Sequence, residues 1–494
     1  MSEQQASTEN AQEQKENLSL FDQVIDATKE DAQQDYTNDL VKTLVENAIE
    51  GTVVWDGSLL KTVEKSVAMI DKIISDQVTQ ILHDSKFQRL EGSWRGLHHL
   101  VKNSLCSKML KIRVFNSDKK TLLQNFNKAA EFDQSELFKK IYEEEYGSAG
   151  GEPYGALIGD YEFNNMPEDV DFLRYMSEIA AASFAPFVAS SSSSIMGLKS
   201  WQNLNVPIDL GRVFDSPVYA KWNNFRKTDE SRFVVLTMPR TLARQPYGKL
   251  TKSIEEFNYE EFRTNEEGVI HQVDPASYCW MNTAFVYGAV LTKAFAETGF
   301  CTAIRGVENG GKVDNLAAHA FLSDDGELDL ACPTEIGITD RREAELSRLG
   351  FLPLCHYKGQ DYAVFFGGQS ANAPVKFDDD DASANSEISA RIPYIFATSR
   401  IAHYLKVIAR DKIGSFMEKS DVETWLNKWI TGYVNANPAS GQELKSKYPL
   451  ADAKIIVEEI ASKPGSYNAI AYLKPWLQLE ELSTSLRLVA RIPE

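Results

Sequence analysis

Ala156-Leu-Ile-Gly-Asp-Tyr161 reads as a short strand, Asp169–Ala181 as a helix, and Pro186-Phe-Val-Ala189 as a second strand. The outer two are brief apolar runs bounded by turn residues, while the segment between them carries the helical period. Working outward, further strand candidates are Lys111–Phe115, Phe233–Thr237 and the pair Leu352–Tyr357 and Tyr362–Phe366. Further helix candidates are Ala276–Glu297 and Asp340–Leu349. Strands and helices interleave over residues 110–370, the pattern of an α/β or α+β domain built in layers.

Toward the N-terminus the composition changes. Residues 1–36 are rich in Glu, Gln, Asp, Asn, Ser and Thr, and hold too few large apolar groups to offset the entropy of ordering them. They are expected to form a mobile arm. A short amphipathic helix is expected from about Asn38 to Glu50, followed by one lone strand, Thr52-Val-Val-Trp55, between Gly51 and Asp56-Gly57. Over Ser58–Leu82, Leu60, Val63, Val67, Ile70, Ile74, Val78 and Ile81 recur at steps of three or four and form one apolar stripe. Such a stripe faces either the helix's own core or a partner helix.

Toward the C-terminus, Asp378-Asp-Asp-Asp381 and the polar stretch to Ser386 predict an exposed loop or linker. Two helical segments follow, about Ser386–Ile413 and Ser420–Asn435, then a short polar helix around Ser440–Tyr448. After that the period becomes two. Lys454–Ile460, Tyr467–Lys474 and Thr484–Ile492 read as strands, with Pro464-Gly465 as a turn. In the last of them Leu486, Leu488, Ala490 and Ile492 share one face. The expected divisions are an arm with its strand over 1–57, a main domain over 58–375 and a C-terminal unit over 376–494.

Composition excludes several classes. The 494 residues carry a formal net charge of -19, which disfavours nucleic acid and an anionic membrane surface, both of which call for clustered Lys and Arg. No apolar run approaches the ~18 residues of a membrane helix, and the polar N-terminus lacks a secretory signal. The five cysteines stand at least 22 positions apart, unlike a disulfide framework or a metal knuckle. A cytoplasmic protein with reduced thiols and no membrane insertion is expected.

Candidate chemistry is thin. Gly306-Val-Glu-Asn-Gly-Gly-Lys312 has the spacing of a phosphate loop, but Val313 stands where a magnesium-binding hydroxyl is needed, and Asp314 follows. The Gly147–Gly155 stretch precedes a strand and reads as a turn, and Ser190–Ser194 reads as a flexible loop. His98 and His99 diverge on a helix, and Cys355 and His356 point to opposite faces of a strand. No catalytic, cofactor-binding or metal-binding residues are therefore expected.

Phe87-Gln-Arg-Leu-Glu-Gly-Ser-Trp-Arg-Gly-Leu-His-His-Leu100 resembles the signature of the large sheath subunit of type VI secretion systems, the TssC or VipB type. Glu145–Ile158, Pro333-Thr-Glu335 with Asp340-Arg-Arg-Glu343, and Arg391-Ile-Pro-Tyr394 running into Ser399–Lys406 resemble the same family in the same order. The resemblance spans roughly residues 58–494. It implies a fold like phage-tail sheaths, a heterodimer with a smaller sheath subunit, and polymerisation with copies of itself around an inner tube of hexamers. It further implies assembly on baseplate components, contraction from a high-energy extended form, disassembly by an AAA+ ATPase, and terminal strands exchanged between subunits.

On that reading Thr52, Val53, Val54 and Trp55 form a donated strand, and Leu486, Leu488, Ala490 and Ile492 belong to the shared sheet. Leu60, Val63, Val67, Ile70 and Ile74 face a partner helix, while Glu443, Lys445 and Lys447 are candidates for touching the inner tube. The competing readings are a non-polymerising adaptor that binds through the Leu60–Ile81 stripe, and a nucleotide-binding enzyme using Gly306–Lys312.

Overall fold

The computed structural model describes residues 43, 59–249, 251–255, 257–262, 273–322, 328–414, 418–460 and 467–478. They divide between two compact units, Met1–Asp84 with Tyr247–Arg263, and Ser85–Pro246 with Thr264–Glu494.

In the first unit the striped segment is one helix, α1, Leu59–Leu82. Its C-terminal end is fastened to the 247–262 segment. Thr79 and Tyr259 share a hydroxyl hydrogen bond of 3.0 Å, and His83 meets the buried Glu261 carboxylate at 3.3 Å.

The second unit begins with α2, Ser85–Lys102. Its centre is a four-stranded parallel sheet in the order β1 (Leu157–Phe163), β2 (Phe187–Ser191), β3 (Val234–Met238) and β4 (Leu352–Pro353). Both faces are buried, as parallel sheets require. The period of two sends Phe187, Ala189, Val234 and Leu236 into one core with α3 (Pro167–Ser183), Trp222 and Phe351. Val188 and Val235 point the other way, into a second core with α4 (Thr283–Thr298), Phe365 and Phe396.

The helices end where their chemistry dictates. Pro167 occupies the first turn of α3, where its missing N–H costs nothing, with Glu168 and Asp169 beside the positive end of the dipole. Asn282 caps α4, accepting from the Ala284 N–H at 2.8 Å, and Gly299 at φ 79° closes it. Asn282 also accepts the Ser190 hydroxyl at 2.6 Å and donates to the Tyr161 carbonyl at 3.2 Å, so one side chain ties α4 to β1 and β2.

Several expectations need correction. Lys111–Phe115 forms no regular structure and pairs with no strand among the described residues. The helix expected from Ala276 starts only at Thr283: Trp280–Met281 instead forms a strand with Thr241–Leu242. The Leu352–Tyr357 and Tyr362–Phe366 pair splits. Leu352–Pro353 joins the parallel sheet, and only Cys355–His356 pairs antiparallel with Ala363–Val364.

Ser190 and Ser191 are buried in β2, not in a flexible loop, because Thr237 and Asn282 satisfy the Ser190 hydroxyl. The acidic stretch after Asp378 is also a helix. After α5 (Asp340–Arg348), the next long helix is α6, Asp380–Ser389, whose N-cap Asp379 accepts from the Asp381 N–H at 3.1 Å. Three aspartates at the positive end of a helix are stabilising there, and charge alone does not mark a loop.

The segment expected as one helix from Ser386 therefore breaks at Ala390 into α6 and α7, Ile392–Lys412. Next come α8 (Lys419–Ile430) and α9 (Gln442–Lys447), then a hairpin of β5 (Leu450–Glu459) and β6 (Tyr467–Pro475). Ile401, Leu426, Ile430, Leu450, Ile455 and Val457 form their common core. Pro464-Gly465 and Thr484–Ile492 lie outside the described residues.

Candidate assembly surfaces

The β5–β6 hairpin has two unlike edges. On β5, the Ile455 N–H donates to Asn427 Oδ1 at 2.9 Å and its carbonyl accepts from Asn427 Nδ2 at 2.7 Å. The Val457 N–H donates to Glu423 Oε2 at 3.0 Å. Side chains of α8 thus imitate a neighbouring strand and close that edge. Since the Ile455 backbone faces away from the hairpin, its cross-strand partner Ala471 does too, and so do Ala469 and Leu473 by alternation. Among the described residues no backbone group pairs with the outer side of β6. One edge is sealed and the other open, which is how a sheet presents a place for one added strand.

On α1, Val63, Val67, Ile70 and Ile74 are 41, 51, 55 and 40% exposed, and Met69 and Ile73 beside them are about as open. The Leu60 side chain lies outside the described residues, as do Thr52, Val53, Val54 and Trp55, and Leu486, Leu488, Ala490 and Ile492. The three tube-contact candidates lie on α9 but differ. The Lys445 ammonium donates to the Pro438 carbonyl at 2.9 Å and sits over the Trp476 ring, whereas Glu443 and Lys447 are exposed.

The phosphate-loop look-alike is a glycine-rich turn. Gly306 and Gly310 adopt φ 77° and 82°, where only glycine is unstrained. The Gly306 N–H donates to Phe365 O at 2.7 Å, and the Gly311 N–H to Gly306 O at 2.9 Å. A strand, Lys312–Val313, follows in place of the helix whose N-terminus would hold phosphate. Among the described residues no group of three or more His, Cys, Asp or Glu is placed to hold a metal ion, and no helix is long and apolar enough to cross a membrane.

Sequence reasoning missed one pair. Cys355 and His356 do diverge, but His356 instead hydrogen-bonds Cys332, whose thiol also lies 3.1 Å from the Thr334 hydroxyl. Burial raises the Cys332 thiol, yet the bonds from His356 and Thr334 outweigh it and hold the thiol below its ordinary value. Residues 24 apart gave no local signal of this.

His403 on α7 is buried. Its Nε2 lies 2.9 Å from the Ser183 carbonyl at the end of α3, and its Nδ1 has no partner. Desolvation holds the ring below the ordinary histidine value, and the half-buried His99 shifts the same way. The unfolded chain then binds protons more readily than the folded one below about pH 6.5, so both rings make stability fall as pH drops through that value. His356 is raised and acts in the opposite sense. Melting midpoints at pH 7.5 and 5.5 are expected to differ less in His403→Gln than in the unaltered chain.

The signature around α2 also resolves into separate tasks. Glu91 Oε1 accepts from Arg95 Nε at 2.7 Å and from the buried Arg244 Nε at 2.8 Å. Gly92 and Gly96 lie against Trp280 and Phe285, and Leu97 and Leu100 pack with Ile112 and Ala289. Residues 64–372 match the VipB family model described as EvpB/VC_A0108, tail sheath N-terminal domain, and residues 381–492 match its tail sheath gpW/gp25-like domain.

The chain belongs to the VipB tail-sheath family.

It is similar to the type VI secretion system sheath protein TssC1 of Pseudomonas aeruginosa, 48% identical over 456 residues, covering 92% of this chain and 90% of the relative. Among solved structures, a chain of the anti-feeding prophage helical sheath in the contracted state gives a TM-score of 0.30 at 12% identity, over 64% of this chain and 66% of that one. A chain of an extracellular contractile injection system, the PVC sheath complex in the contracted state, gives 0.34 at 10%, over 64% and 68%. The likeness to both is loose.

Proposed function

We propose that this chain is the large subunit of a type VI secretion contractile sheath, a structural protein that pairs with a smaller sheath subunit and polymerises with copies of itself. The polymer surrounds an inner tube, grows from a baseplate, contracts to propel the tube, and is dismantled by an AAA+ ATPase, all in the cytoplasm. Membership of the tail-sheath family over nearly the whole chain supports this reading, as does the relative named TssC1.

The observation that carries the assembly mechanism is the asymmetric hairpin. With β5 sealed by Asn427 and Glu423, strands add only on the β6 side. Leu486, Leu488, Ala490 and Ile492 of the chain's last strand, and Thr52-Val-Val-Trp55 from a neighbour's arm, are the strands proposed to extend it. Ladder hydrogen bonds hold neighbours together while the connecting segments absorb rotation. The exposed stripe on α1 supports its role facing a partner helix, and on α9 Glu443 and Lys447 remain available to a tube. The proposed divisions are 1–57, 58–375 and 376–494.

Ala471→Pro tests this directly. It removes an N–H from the open edge, where proline is tolerated, and leaves the inner ladder intact. Co-expressed with the small sheath subunit, the variant is expected to form heterodimers but no striated tubules in negative-stain images. A chain lacking residues 1–57 and 484–494 is expected to fail in the same way, and normal tubules from both would end the reading.

A further inference from the structure

The outer face of α2 carries Leu90, Trp94 and Val101, which are 57, 66 and 46% exposed. Their spacing puts them on one side of the helix, opposite Gly92, Gly96 and Leu100, which are buried. A helix apolar on both sides is covered on both sides in its working state. Trp94 is the one large residue of the signature centre, Glu91–Gly96, with neither an ion pair nor a ring contact among the described residues.

The apolar face continues past the helix through Leu105, at 74% exposure, to Val114 and Phe115, at 69 and 56%. There the chain has no regular secondary structure but is held in place. Ile112 is packed inward, and Lys111 and Arg113 are paired with Glu152 and Glu145. Lys111–Phe115 makes no backbone hydrogen bond among the described residues. Its free N–H and C=O groups form an unused backbone edge, tied to α2 where Ile112 packs with Leu97 and Leu100.

Charge narrows the partner. Residues 85–120 hold nine Lys and Arg against two Asp and Glu, in a chain whose net charge is -19. Lys102, Lys108 and Lys120 make no ion pair among the described residues. We infer that this face, from Leu90 to Phe115, is the docking surface for the smaller sheath subunit, which adds an acidic strand along Lys111–Phe115 and lays an apolar surface over Trp94. The inference rests on the heterodimer of the proposed function. Contacts between lattice neighbours must exchange on contraction, whereas a permanent partner can keep a large apolar face dry, and permanent interfaces are the more apolar kind. An added strand supplies backbone bonds, and a desolvated tryptophan supplies the anchor that dominates such interfaces.

The experiment uses the full chain with the small sheath subunit of the same system. Trp94→Asp combined with Val114→Asp is expected to weaken their association about 100-fold or more, while Val375→Asp, equally exposed elsewhere, leaves it unchanged. Independently of any variant, hydrogen exchange of Leu105–Phe115 amides is expected to slow about tenfold or more when the small subunit binds. If the double variant binds normally, or these amides exchange alike with and without the small subunit, the inference falls even where tubules fail to form. If the unaltered chains do not associate at all, the heterodimer itself falls, and the inference with it.

Discussion

Gly92→Ala is expected to lower the melting midpoint by about 2 °C or more, although it adds a single methyl to a helix and replaces a poor helix former with the best one. Helix propensity alone favours the substitution by about 1 kcal/mol. Packing reverses the sign. The new Cβ would lie 2.2 Å from the Trp280 carbonyl oxygen and 3.3 Å from its carbon. That oxygen is backbone, in a strand paired with Thr241–Leu242, and cannot swing aside as a side chain could. Overpacking of this kind costs about 1–3 kcal/mol and occasionally more, here at the upper end because the helix must retreat as a body. Gly155→Ala is the control, since a Cβ there meets nothing within 4 Å. Equal melting midpoints for the two alanine variants would show that α2 has room to shift.

Arg240→Ala is expected to cost about 2–4 kcal/mol, read as a fall in the melting midpoint or in the denaturant midpoint of the second unit. Arg240 Nε and Nη2 donate to Glu335 Oε2 and Oε1 at 2.9 and 2.7 Å, a two-pronged clamp. The Glu335 side chain is 6% exposed, so removing the arginine strands a buried carboxylate. Glu162, 3.8 Å from Arg240, loses the same counter-charge. Breaking a fully buried pair costs about 3–5 kcal/mol, and the 36% exposure of Arg240 brings the expectation down. Glu335→Gln keeps hydrogen-bonding atoms and leaves no buried anion, so it is expected to cost less than Arg240→Ala. The reverse order would mean that the clamp acts through shape and not charge.

These two sites show what the recognised motifs do. Glu91, Gly92 and Gly96 bring α2 against Trp280 and Phe285 and pin Arg244, while Glu335 pins Arg240 just beyond β3. The residues were legible as a signature, but their tasks were not. Each partner lies dozens to well over a hundred positions away, and no local pattern announces it.

The same division runs through the rest of the molecule. Periodicity by itself placed α1, α3, α5 and β1 to β3 to within a few residues, because alternating burial at steps of two or 3.6 writes itself into local sequence. Spaced motifs named the family that the chain belongs to. Only the tertiary structure decided which extended segments become strands, since a strand exists through its neighbour. Lys111–Phe115 has the right residues and no strand neighbour among the described residues, whereas Trp280–Met281 looked helical and has one. Only the fold, too, made one edge of the terminal hairpin open and the other closed, because Asn427 and Glu423 reach β5 from a helix nearly thirty residues or more away. Local chemistry sets what a segment is able to form. Long-range packing selects which hydrogen bonds and apolar faces are satisfied within the chain, and which are left for other chains to complete.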